Sequence, residues 1–97
     1  MVEGKAFTHD GYEVAGGWKV AKEFGTATIE EMKVTNPKDE RNVIQFTFTF
    51  VKGNEVLGEV ECNGGELEPG QSKVMECFSV DSGFPTGYTE VRVADMW

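Results

Sequence analysis

Across residues 42–51, Ile44, Phe46, Phe48 and Phe50 alternate with Gln45, Thr47 and Thr49. A period of two puts one apolar and one hydroxyl-bearing face on a single strand. After Lys52-Gly53-Asn54 the alternation resumes, with Val56, Gly58, Val60 and Cys62 set against Leu57, Glu59 and Glu61. Directly opposed residues of an antiparallel hairpin share a face, so the two apolar rows should meet, through pairs such as Phe50 with Val56 and Phe46 with Val60. A two-residue Gly53-Asn54 loop would instead set Phe48 against Glu59, burying a carboxylate beside the aromatic row. The pattern therefore predicts a loop of odd length, three or five residues, with Gly53 or Asn54 left-handed. Glu59 and Glu61 should face solvent.

The remaining segments are shorter. Residues 11–24 read as one or two strands broken at Gly16-Gly17, with Tyr12, Val14, Trp18 and Val20 apolar. In residues 26–36, Ala27 and Ile29 lie on one phase but Met32 and Val34 on the other, which predicts a bulge at Glu30 and Glu31. A helix over residues 21–32 would have to cross Gly25 and three β-branched residues, so strand is preferred. Residues 72–80 and 89–97 supply two more strands, and the chain contains neither repeats nor a linker. Short strands at regular spacing, separated by Asn-Pro, Gly-Asn and Pro-Gly turns, predict an all-β, immunoglobulin-like antiparallel β-sandwich of about seven strands. The 97 residues fit a single domain over 1–97, with residues 1–10 read as a flexible N-terminal arm.

Within residues 32–79, a strand ends in Val34-Thr35-Asn36, and a Phe-rich strand then leads through a glycine-containing hairpin into a strand carrying Cys62. Leu67-Glu68-Pro69-Gly70-Gln71-Ser72 follows, and the next strand carries Cys77. This succession resembles the FxLYD-type and related immunoglobulin-like domains of actinobacterial secreted proteins and lipoproteins, over roughly residues 12–97. The chain departs from the name-giving motif, because Val51-Lys52 stands where Tyr-Asp would follow the Phe strand, so the resemblance is to the wider group. It implies an immunoglobulin-like sandwich serving the cell envelope.

The two cysteines are separated by 14 residues, and the chain holds one histidine, His9, with no CxxC pair. Four N or S ligands for structural zinc are therefore lacking, as is the CxxC at a helix start that a redox pair uses. Two readings stay open: free thiols in a reducing compartment, or a Cys62–Cys77 disulfide in an oxidising one. The disulfide is the expectation, since consecutive strands joined by a turn can bring the two within reach. Closing a loop of about 15 residues contributes about 3 kcal/mol in the chain-entropy account.

Seventeen acidic against nine basic residues give a net charge of -8, which repels phosphate backbones and anionic lipid. Nucleic acid is therefore not an expected partner, and no run is apolar enough for insertion into a membrane. The acidic residues fall in pairs along the chain, Glu30 with Glu31, Asp39 with Glu40, Glu59 with Glu61 and Glu66 with Glu68, as on a solvated surface. The carboxylates of residues 36–42 lack the ordered spacing of a calcium loop, and the glycines form neither GxGxxG nor a P-loop. No catalytic set, cofactor or metal is expected: His9 has no nucleophile placed for it, and a disulfide would occupy both thiols. Trp18 is expected in the core, and Trp97 fits either core or surface.

For binding, Phe84, Pro85 and Tyr88 in a loop at one end of the sandwich form the candidate contact site, opposed by the reading in which both rings plug the core. A partner, if present, is expected to be a protein met at that loop or at a sheet edge. The sequence thus predicts a non-enzymatic extracytoplasmic binding or spacer module of an actinobacterial envelope protein. The alternative is a phage-encoded immunoglobulin-like accessory of the virion or host envelope. The amino terminus lacks the basic-then-apolar pattern of a signal peptide, which fits either a complete small protein or an ectodomain freed of its leader.

Overall fold

A computed structural model describes residues 2–23, 25–79, 83 and 85–95. Within them the chain is all-β, with ten strands: β1 (Phe7–His9), β2 (Tyr12–Val14), β3 (Lys19–Glu23), β4 (Thr26–Glu30), β5 (Lys33–Thr35), β6 (Asn42–Lys52), β7 (Glu55–Leu67), β8 (Ser72–Val74), β9 (Glu76–Ser79) and β10 (Glu90–Asp95). Two four-stranded sheets, ordered β1-β2-β5-β8 and β10-β6-β7-β9, and a two-stranded β3-β4 hairpin are antiparallel throughout. The sheets stay open, as in a β-sandwich.

The ten strands exceed the expected seven by three: the stretch expected as an arm holds β1, and two segments that read as one strand each change sheet midway. The predicted bulge at Glu30 and Glu31 is such a change: β4 pairs with β3, whereas β5 pairs with β2 and β8. Glu31 takes a left-handed φ of 59° at the corner, and Met32 is fully buried just after it. The same event recurs at Met75, between β8 in one sheet and β9 in the other. The two corners meet, the Met75 backbone N–H donating to the Met32 carbonyl at 2.8 Å. Each crossing shifts the side-chain phase by moving to another sheet, so no residue has to be looped out.

The β6–β7 hairpin corrects the expected register. Lys52 pairs with Glu55, leaving the two-residue Gly53-Asn54 loop that parity had argued against. Gly53 supplies the positive φ, 61°, that the first position of a II′ turn requires. Glu59 nevertheless stays out of the core. Val51 pairs with Val56 but Phe50 with Gly58, so Leu57 is an extra residue that restores the phase. Phe48 then opposes Val60 and Phe46 opposes Cys62, with Thr49 against Glu59 and Thr47 against Glu61 on the outer face, both glutamates half-buried. Val56, on the turn side of the bulge, is 58% exposed, contrary to expectation.

The core lies between the sheets. Phe46, Phe48, Phe50 and Val60 face Tyr12, Val14, Trp18 and Val34, all buried. Burying each such side chain contributes roughly 1.5–3 kcal/mol. Trp18 satisfies its indole by donating to the Lys5 carbonyl at 2.9 Å, which lets the ring sit in the core. The stretch expected as a flexible arm contains β1, whose Phe7 ring meets Trp18 and Phe48 edge-on at 6.1 and 6.2 Å.

Candidate functional site

Asp10-Gly11 closes the β1–β2 hairpin with two successive positive φ values, 55° and 86°, the I′ geometry for which Asp-Gly is suited. That turn and the start of β6 enclose a cleft of about 190 Å³ lined by Asp10, Tyr12, Ile44, Gln45 and Phe46 among others. Its volume falls below the roughly 300–1,000 Å³ of typical small-molecule sites. The Lys38 ammonium lies 4.1 Å from the centre of the Tyr12 ring. His9 stands edge-on to Phe46 at 5.3 Å. Among the described residues, Gln45 Oε1 is buried with no hydrogen-bond partner. With Asn42 also in the lining, the walls offer one carboxylate, two amides and aromatic faces, a set able to hold a small polar solute or water.

The cysteines are joined: Cys62 and Cys77 form a disulfide with Cα atoms 4.1 Å apart. They are direct partners on β7 and β9, neighbours in one sheet although β8 intervenes in sequence and belongs to the other. The Cys77 carbonyl accepts from Thr28 Oγ1 at 3.0 Å, so β4 packs along β9 and the bridge sits beneath a second layer. Cys62 is fully buried in the core.

Of the three candidate loop residues, Phe84 lies outside the described residues. Pro85 is buried and Tyr88 is half-buried. The Tyr88 ring packs edge-on against Phe50 at 4.9 Å, and its hydroxyl donates to Glu3 Oε1 at 2.7 Å. Burial, then the hydrogen bond and charge of Glu3, push the Tyr88 phenol up to about 12. The ring thus closes the edge of the core while its hydroxyl ties the N-terminal segment to the approach to β10.

The turn at residues 36–42 is organised internally. Asn36 is fully buried, and its Nδ2 donates to the carbonyls of Glu40 and Leu67 at 2.9 and 3.0 Å, while its Oδ1 accepts from the Lys38 N–H at 3.0 Å. Arg41 reaches Glu66 at 2.8 Å and Glu68 at 3.7 Å on the surface. Among the described residues no three His, Cys, Asp or Glu side chains gather where a metal ion could be held, and no helix is long and apolar enough to cross a membrane.

Asn36 and Gly64 are the structurally decisive residues that sequence reasoning passed over. Asn before Pro is a turn signal, but nothing local reveals that its amide bonds to Leu67, thirty-one residues away. Gly64 reads as half of a Gly-Gly pair, yet a Cβ there would come within 3.1 Å of Val34 Cγ1. Comparison with family models, with curated proteins and with solved structures finds no match.

Proposed function

We propose that this chain is a non-catalytic binding or spacer module working in an oxidising, extracytoplasmic setting at a cell envelope. The Cys62–Cys77 disulfide carries the reading, because such bonds persist where thiols are not kept reduced. The bridge also takes both thiols out of nucleophilic chemistry, and the single histidine rests against Phe46. The net charge of -8 argues for a protein contact over a polyanion. The envelope setting draws on the resemblance of residues 12–97 to secreted and lipoprotein modules. Phe84 is the side chain proposed for the contact, while Tyr88, packed on Phe50 and bonded to Glu3, holds its own segment to the core.

The test is the state and place of the protein in the cells that make it. Alkylation before any reduction, followed by fractionation, should recover the chain outside the cytoplasm with neither cysteine labelled. Recovery from the cytosol with both cysteines labelled would overturn the proposal.

A further inference from the structure

The chain contains a single Asn-Gly dipeptide, Asn63-Gly64, and the fold presents it unusually. Asn63 is exposed on the outer face of β7, and its side-chain Oδ1 accepts a hydrogen bond from the Gly65 backbone N–H at 2.7 Å. Gln45 pairs with Asn63 but Ile44 with Gly65, so Gly64 is looped out of the β6 register, and the β9 register ends at Asn63 with Glu76. Pairing to either neighbouring strand therefore skips the residue that follows Asn63. Glycine adds no side chain to hinder its own nitrogen.

We propose that Asn63 is a self-modification site, at which the backbone nitrogen of Gly64 closes on the Asn63 side chain and the amide is lost as ammonia. Hydroxide removes the Gly64 N–H proton, the nitrogen attacks Cγ, and the carbonyl electron pair moves onto Oδ1. The Gly65 N–H already points there, as a preplaced donor does toward the oxyanion of acyl transfer. Collapse breaks the bond from Cγ to the amide nitrogen, which leaves as ammonia with a proton from water. A five-membered succinimide remains. Water opens it at either carbonyl, giving aspartate or isoaspartate, and no reagent beyond water is consumed. The product carries a new carboxylate on the face of β7 that holds Glu61, opposite Glu76, taking the net charge from -8 to -9 by the loss of one neutral amide. The isoaspartyl form also inserts a methylene into β7 between Cys62 and Gly64, at the bulge that sets the phase of both halves of the strand.

The experiment holds the folded, oxidised protein at mildly alkaline pH and follows each asparagine by peptide mapping after a final reduction. Asn63 should convert ahead of Asn42 and Asn54, as a mixture of aspartyl and isoaspartyl peptides, and Asn63→Gln should stop the growth of the acidic species. The same chain unfolded in urea supplies the reference rate. A native rate within about tenfold of that reference supports the proposal. Slowing beyond about tenfold, meaning the backbone must first open at a cost above about 1.4 kcal/mol, overturns it, as does earlier conversion of Asn42 or Asn54.

Discussion

Asn36 Nδ2 donates to the backbone carbonyl of Leu67 at 3.0 Å, joining the turn after β5 to the last residue of β7. The Asn36 backbone joins a third segment, its N–H donating to Gln71 and its carbonyl accepting from Gly70 at 2.6 Å. That segment is itself a tight turn, closed by the Gln71 N–H donating to Glu68, with Pro69 at its second position and Gly70 at a φ of 81° at its third, as a type II turn requires. One buried amide thus holds three connections at one end of the sandwich.

Asn36→Ala would leave the Leu67 and Glu40 carbonyls and the Lys38 N–H without this partner. A loss on the order of 3 kcal/mol is expected from stranding buried polar groups, read as a lower urea midpoint. Asn36→Asp keeps the size but cannot donate, and should fall nearly as far. If either variant unfolds with the parent, the amide does not hold these turns.

Gly64 is buried, and its φ lies outside the left-handed region, so the demand for glycine is steric. A Cβ would stand 3.1 Å from Val34 Cγ1 and 3.5 Å from Ile44 and Met75. Gly64→Ala should cost about 1–3 kcal/mol by overpacking. Adding Val34→Ala opens the contact, so the double variant should lose less than the sum of the single losses. Additive losses would place the strain elsewhere.

The Tyr88 phenol, lifted from its ordinary value near 10 to about 12, gives a pH signature. The folded state keeps this proton over a range in which the unfolded chain releases it. The contribution is therefore fully present below pH 10 and is lost as pH rises toward 12. Unfolding midpoints measured across that window should fall less steeply in Tyr88→Phe than in the parent. At neutral pH, Tyr88→Phe should sit close to the parent, whereas Tyr88→Ala, which loses the contact with Phe50, should be clearly less stable. Equal slopes in parent and Tyr88→Phe would show that the hydroxyl does not exchange its proton with folding.

How far the fold can be read from the chain depends on how local its cause is. The Phe46, Phe48 and Phe50 row is legible because period-two burial is written in adjacent residues. The alternation places Glu59 and Glu61 outward, but parity alone assigns that placement to a loop of the wrong length. Loop and bulge are interchangeable ways to fix parity, and Leu57, an ordinary strand residue, gives no sign of being looped out. The corners at Met32 and Met75 were hidden for another reason. An apolar residue between two strands looks like part of either, and only the Met75 to Met32 hydrogen bond across the chain shows where the sheets separate. The cysteine pairing was legible because only one pairing is possible. That the partners would be non-consecutive strands of one sheet was not, since β8 is a three-residue excursion to the other sheet.

Thiol titration of denatured, unreduced protein from its native source tests the Cys62–Cys77 bridge and the oxidising setting proposed from it. No reactive thiol should be found, and reduction should then lower the melting temperature through the loss of about 3 kcal/mol of loop closure. Two reactive thiols before reduction would contradict the bridge and, with it, the oxidising compartment on which the proposed function rests.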